Sequence, residues 1–239
     1  MTAALHAVPD DFGAAAPFPL AGTEVLADAS GALILPACGA LIVSDLHLEK
    51  GSAFAQRGQF LPPYDTADAL ARLEALIAVW RPEIVVSLGD SFHDGAACAR
   101  LSPADAARIR AVTASVRRFV WVEGNHDPAP PVNLGGEVAA ELALDGLVLR
   151  HLPAPGPARG EVCGHLHPVA RVRAAGRSVR RRCFASDGQR LVMPAFGAYA
   201  GGLNVCDPAF AQVFGRTPDA WIAGPRRVWP VSARHLCGD

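Results

Sequence analysis

From Gly22 the chain alternates short apolar runs with turn residues: GTEVLA, a DASG turn, ALILP and then ALIVSD. That pattern predicts a hairpin leading into a buried strand at residues 41–44. Leu70, Leu73, Ile77 and Trp80 recur at helical spacing, with Asp65 or Thr66 placed to cap the helix start and Pro82 beyond its end. EIVVSL at 83–88 is a further strand. The run Ser102-Pro103-Ala104-Asp105 opens a second helix, with a capping serine, an early proline and an acid three residues on. Its apolar positions Ile109, Val112 and Val116 face inward, and it should stop near Arg117. Strands follow at 119–122, 147–149, 161–162, 169–173, 183–185 and 191–193, the third after a Pro/Gly-rich loop, LPAPGPARG. Strand–helix–strand–helix–strand in the first half predicts an α/β layer arrangement, and the β-rich second half predicts a second sheet packed on the first. Residues 1–21, with three prolines and many alanines, read as an N-terminal arm, leaving 22–239 as one domain.

Composition narrows the class. Of 239 residues, 51% are apolar and 19% charged, enough for a full core and unlike a disordered chain. With 22 basic and 23 acidic residues the formal charge is −1, so no global field favours nucleic acid or a membrane surface. The six cysteines contain no C-x-x-C pair and read as free buried thiols. The start lacks a basic region followed by a long apolar core, and no apolar run nears the ~20 residues that cross a bilayer. A cytoplasmic protein without membrane contact is therefore expected.

The candidate chemistry lies in where His, Asp and Asn fall. Asp45 and His47 follow one predicted strand, Asp90 ends the next, and Asn125 and His126 end the third. His151 follows 147–149, and His165 and His167 follow 161–162. All stand at the carboxyl ends of predicted strands, where α/β sheets hold their ligands. Asp45, His47, Asp90, Asn125, His151, His165 and His167 form a mixed oxygen/nitrogen donor set without thiolate, suited to Mn, Fe or Zn. With one bridging carboxylate these residues supply about eight bonds, enough for two divalent ions. Such ions leave a local positive surplus over two aspartates, which attracts an anion such as phosphate.

In this order, Asp45-Leu46-His47, Gly89-Asp90, Gly124-Asn125-His126-Asp127, the lone His151 and Gly164-His165-Leu166-His167 resemble the calcineurin-like metallophosphoesterases. SDLHLEKGSAFAQRGQFLPPYDT, SLGDSFHD, GHLHP and LVMPAFGAYAGGLNV extend the resemblance to the bacterial ligase-associated metallophosphoesterases, the PdeM family. The resemblance implies a two-sheet β-sandwich flanked by helices. It also implies a dinuclear metal-dependent phosphoesterase, a DNA damage-response endonuclease or phosphodiesterase associated with a DNA ligase, a helicase and an exonuclease. By the family pattern Asp45, His47 and His167 hold one ion, Asn125, His151 and His165 the other, and Asp90 bridges them, with Mn expected and Fe or Zn as alternatives. A hydroxide bridging the two ions would attack phosphorus, and His126 would protonate the leaving alkoxide. Asp127 would favour the charged form of His126, or else hold the turn.

Several residues keep more than one reading. Arg57 and His93 are candidate substrate contacts, with a surface role for Arg57 and a structural role for His93 as the alternatives. In RVRAAGRSVRRR, Arg180, Arg181 and Arg182 would grip a nucleic-acid backbone or form a solvated hairpin face paired with local acids; the stretch has no interleaved aromatics for base stacking. Competing functions are hydrolysis of small nucleotides or phosphomonoesters, and a non-catalytic scaffold, against which this chain keeps every expected ligand. Oligomeric state and physiological substrate are not legible.

Overall fold

The computed structural model describes residues 14–130, 132–174 and 176–239. Among these residues two sheets stack face to face. The first holds seven strands in chain order: β1 (Ala15–Leu20), β2 (Thr23–Asp28), β3 (Leu33–Leu35), β4 (Ala40–Ser44), β5 (Ile84–Leu88), β6 (Arg118–Val122) and β7 (Glu137–Ala139). β1 to β4 form an antiparallel meander, and β4 to β7 run parallel. The crossover from β4 to β5 carries α1 (Lys50–Gln56) and α2 (Asp65–Trp80). That from β5 to β6 carries α3 (Ala97–Arg100) and α4 (Pro103–Ala114).

The second sheet holds nine strands. β8 (Leu142–Leu144) pairs β9 (Leu147–Leu149), and β9, β10 (Glu161–Cys163) and β13 (Arg190–Val192) are parallel neighbours. β11 (Pro168–Ala174) and β12 (Arg177–Ser186) form a hairpin. β14 (Leu203–Asn204) borders it, α5 (Pro208–Phe214) follows, and β15 (Asp219–Ala223) and β16 (Val228–Val231) extend the sheet from β12. The expected α/β class and two-sheet sandwich with flanking helices are what the chain forms.

Strand alternation builds this layering. Ala40 and Ile42, Ile84 and Val86, and Val120 and Val122 face the second sheet, where Leu149, Val162, Phe184 and Leu191 meet them. Leu41, Val43, Val85, Phe119 and Trp121 face the other way, under Leu70, Leu73 and Leu76 of α2 and Ile109 and Val112 of α4. Period-2 strands buried on both faces read as continuous apolar runs, which is how they stood in the sequence. A third cluster packs Phe210 of α5 on Cys163, Cys183, Val192 and Ala220, behind the second sheet.

Several expectations are corrected. Within the expected arm, residues 1–13 lie outside the described residues, but Ala15–Leu20 pairs with β2 over six residues and buries Phe18 and Leu20. α2 is not capped by Asp65 or Thr66: Asp65 accepts the Gly51 N–H (2.9 Å) and the Thr66 hydroxyl bonds Glu49, so both side chains anchor α1 instead. Ser102 does cap α4, accepting the Asp105 N–H at 3.0 Å, but the helix ends at Ala114 rather than near Arg117. Asp207, Pro208 and Gly215 cap an unexpected α5. Cys163 and Cys183 are buried, whereas Cys98 is exposed. No helix among the described residues is long and apolar enough to cross a membrane.

One buried ion pair ties the second sheet to its surroundings. Glu161 pairs with Arg190, their side chains 4% and 2% exposed, and Arg190 also donates to the carbonyls of Val213, Ala154 and Gly156. Breaking such a pair strands a charge. Glu161→Leu is expected to lower unfolding free energy by about 3–5 kcal/mol, read as a fall in urea midpoint at constant slope. The double variant Glu161→Leu/Arg190→Met should recover part of that loss.

Candidate active site

The carboxyl ends of β4, β5, β6, β9 and β10 share one edge of the sandwich, and the loops leaving them carry the Asp, Asn and His residues. The first two loops are laced together as they leave the sheet. The N–H groups of Asp45, His47 and Leu48 donate to the carbonyls of Gly89, Asp90 and Ser91 at 3.2, 2.9 and 2.9 Å. The Asp45 carboxylate then joins the sheets, accepting the Ser44 hydroxyl (2.5 Å) and the His165 N–H (3.2 Å). Asp45, His47, Asp90, His165 and His167 all have φ between +45° and +70°. This left-handed region is costly for residues with a Cβ and clusters at functional sites.

Two donor clusters result. Ligand atoms of Asp45, His47 and His167 lie within 4.8 Å of one another, and so do those of Asp90, His151 and His165. His167 Nε2 is 3.1 Å from Asp45 Oδ1 and 3.3 Å from His47 Nε2. In the other cluster His151 Nε2 is 3.3 Å from Asp90 Oδ2 and 2.9 Å from Asn125 Oδ1. The clusters adjoin, since His151 Nδ1 is 3.8 Å from Asp45 Oδ1. All seven residues expected to hold metal thus meet at one place.

The electrostatics suit cations. Burial dominates at His47 and holds its pKa down to about 4, so its imidazole is neutral and ready to donate. His165 is also held low, by burial and the nearby His151. Burial would lower His151 as well, but its hydrogen bond to Asp90 and the charges of Asp45 and Asp90 raise it overall. Burial pushes Asp90 up, yet His151 and the His126 N–H more than offset this and bring it down to about 2. Imidazole nitrogens facing each other and two buried carboxylates fit divalent ions with oxygen/nitrogen preference. His47 Nδ1, buried without a hydrogen-bond partner, marks a polar atom the chain leaves unsatisfied here.

His126 stands at the rim, its side chain 45% exposed and its Nε2 3.9 Å from Asp90 Oδ2. Its N–H donates to Asp90 Oδ1 (2.9 Å), and its Nδ1 is 3.0 Å from the His93 carbonyl. A carbonyl only accepts, so Nδ1 carries a proton. The His93 ring stacks on His126 with centroids 5.7 Å apart, which places it beside the site. Asp127 does not support His126: its carboxylate accepts the Phe92 N–H at 3.0 Å, and no ion pair joins the two side chains among the described residues. Buried there, and near Asp90, it is pushed up to about 7 and braces the turn. Arg57 lies exposed at the end of α1, whose Phe54 ring meets that of His93 at 5.9 Å.

The arginine run splits between surface and interior. Arg180 pairs with Asp239 at 3.0 Å and donates to the Gly202 carbonyl. Arg182 folds inward onto the carbonyls of Ala195 and Phe196. Arg180, exposed and paired with an acid, and Arg181, also exposed, match the solvated-hairpin alternative, and Arg182 alone of the three turns inward. The chain also uses residues to which sequence reasoning gave no role. Phe196 and Gly197 donate their N–H groups to the carbonyls of Ser44 and Asp45 (2.8 and 3.1 Å), bracing the first loop from behind. Their signal, the late PAFG run, carries no titratable group.

The family profile for calcineurin-like phosphoesterases matches residues 40–172, which contain both clusters. A nuclease MPE from Pseudomonas putida is 32% identical, with 91% of this chain and 100% of that one covered and a TM-score of 0.70. Yfce, a phosphoesterase from E. coli, is 19% identical over 69% of this chain and 83% of its own, with a TM-score of 0.39. No curated protein matches. With its metal-fitting clusters at the sheet edge inside the matched region, this chain belongs to the calcineurin-like phosphoesterase family.

Proposed function

We propose that this chain hydrolyses phosphodiester bonds in DNA as a nuclease working with two divalent ions. Asp45, His47 and His167 hold one ion, Asn125, His151 and His165 the other, and Asp90 lies between them. The observation that carries the reading is the adjacency of the two donor clusters, each within 4.8 Å. The likeness to a nuclease at 32% identity supports a nucleic acid as substrate. Oxygen and imidazole donors suit Mn, with Fe or Zn as the other candidates. Bound ions supply Lewis-acid polarisation of phosphoryl oxygens and acidify water.

The chain's own residues then do the following. Asp90 orients the site, fixing the His126 backbone at 2.9 Å and the His151 ring at 3.3 Å. The His93 carbonyl keeps a proton on His126 Nδ1, and Nε2 lies 3.9 Å from Asp90 Oδ2. When the ring is doubly protonated, the Nε2 proton can pass to the departing alkoxide, leaving the neutral Nδ1–H form. Alkoxides leave poorly, so this matters more for nucleic acid than for activated aryl esters.

His126→Ala is therefore expected to lower kcat about 10²–10⁴-fold on an alkyl diester and much less on a nitrophenyl diester, with metal content kept. An equal loss on both would remove its acid role. The substrate class is tested by comparing bis-aryl and mono-aryl phosphates, mononucleotides, and single- and double-stranded DNA with Mn. Turnover of mononucleotides or monoesters alone would overturn the nuclease reading. The resemblance to ligase-associated enzymes supports a role in DNA repair alongside a ligase, a helicase and an exonuclease, which co-purification from cells would check.

A further inference from the structure

Behind the loop that braces Asp45 lies a cavity of about 480 Å³ lined by Arg72, Arg180, Arg181 and Arg182 together with Ser30 and Gly202. None of the seven metal-fitting residues lines it. It is nevertheless close to them. A Cβ on Gly202 would come 3.0 Å from the His167 carbonyl, so this cavity wall backs directly onto the first cluster. The segment 195–197 separates the two sites, giving N–H groups to Ser44 and Asp45 on one side and carbonyls to the arginines on the other.

The charge inventory is lopsided. No acidic residue lines the cavity. Arg180 has Asp239 at 3.0 Å, and Arg72 has Asp68 at 3.9 Å. Arg182 and Arg181 have no carboxylate within 4.0 Å among the described residues. What holds Arg182 is main chain: its Nη1 donates to the carbonyls of Ala195 (3.1 Å) and Phe196 (3.3 Å), while Arg72, besides its Asp68 pair, donates to those of Phe196 (2.8 Å) and Ser30 (2.9 Å). The Arg72 guanidinium also lies over the Phe196 ring, 4.1 Å from its centroid. Carbonyls fix a guanidinium without neutralising it. Burial of Arg182 works against its charge more than the nearby Asp68 supports it, a cost that an anion would offset. Arginines held rigid before the ligand arrives lose little entropy on binding, and their forked donors match phosphate oxygens.

We infer that this cavity binds a phosphate group, and that it anchors a flanking phosphate of the DNA chain whose scissile bond lies at the two clusters. The second half of this statement rests on the nuclease reading above. Shared phosphate chemistry allows one other source, free inorganic phosphate, and the test separates the two.

Arg181→Ala and Arg182→Gln are the variants, glutamine retaining an amide donor for the Ala195 and Phe196 carbonyls. Both are first checked by thermal melting, and Arg181→Ala, on an exposed side chain, keeps the test open if Arg182→Gln does not fold. The readout is kcat/KM with Mn on a dinucleotide and on a twelve-nucleotide single strand, alongside oligonucleotide binding in chelator over a salt series. The wild type should favour the longer strand. Each variant should cut that preference roughly tenfold and reduce the salt slope by about 0.7, one phosphate contact on a single strand. An unchanged preference and slope would overturn the inference. So would a variant that loses binding of inorganic phosphate while its length preference persists, since the cavity would then serve a free ion. Failure of the wild type to cleave either strand would instead strike the nuclease reading.

Discussion

Asp90→Asn is expected to lower phosphodiester turnover by roughly three orders of magnitude, beyond the 10- to 100-fold that follows loss of a group merely supporting a metal ligand. Asp90 is 2% exposed and joins two loops: its oxygens lie 2.9 Å from the His126 backbone nitrogen and 3.3 Å from His151 Nε2. The amide keeps the shape but loses the charge, and if its oxygen stays on the His126 N–H, its NH₂ must face His151. Metal analysis of the variant should show fewer ions per chain than the wild type, and added Mn should not restore the rate. Near-normal turnover with any divalent ion would refute the proposed role.

Stability in chelator separates this from misfolding. The Asp90 carboxyl is held at about 2 in the folded chain, below its ordinary 3.8, so its ionised form favours the fold. That contribution is fully present above the ordinary value and fades as pH falls toward 2. The asparagine variant should therefore be less stable near neutral pH by at most about 2 kcal/mol, and this deficit should vanish in strong acid. A loss of that size leaves a typical domain folded, so the catalytic loss is not an unfolding effect.

The fold was legible where alternation and caps act locally. LIVS, IVVSL and FVWV are buried on both faces and read as strands without tertiary knowledge, and Ser102 caps α4 as the S-P-A-D run predicts. The seven metal-fitting residues were legible because each follows an apolar run, and parallel strands bring their carboxyl ends to one edge. Other features depended on distant partners. Ala15–Leu20 is a poor strand by composition, with two prolines, and forms because it can add to the exposed edge of β2. Asp65 and Thr66 have good capping chemistry, but Gly51 and Glu49, fourteen and seventeen residues away, take their hydrogen bonds. The same holds for Arg182: a run of arginines looks solvated until the carbonyls of Ala195 and Phe196 are known to lie beneath it. α5 was the exception, since Asp207-Pro208 and Gly215 bracket it in plain sequence.

Glycine shows most sharply how packing at the site is written into the motifs, and Gly124→Ala carries the second large expected effect. Gly124 has no left-handed backbone to explain it; what it lacks is room. A Cβ there would lie 2.1 Å from the Asp90 nitrogen, 2.3 Å from Asp90 Oδ1 and 2.5 Å from Asp127 Oδ1. Neither the backbone of the β5 loop nor a carboxylate bonded to the His126 N–H can swing aside as a flexible side-chain tip would. One methyl group should thus push the β6 loop, with Asn125 and His126, away from Asp90. Overpacking of this kind costs about 1–3 kcal/mol, so the variant should fold with a lowered melting temperature. Mispositioning by about an ångström costs on the order of 10²-fold in rate, and weakened metal binding should add to that, giving a loss of about 10³-fold on a diester. Gly95→Ala is the control: the added Cβ there meets nothing within 4 Å, so stability should stay within about 0.5 kcal/mol of wild type. If Gly124→Ala bound metal and turned over substrate like that control, the close approach of the two loops would be dispensable, and Asp90 could not be the group that sets their spacing.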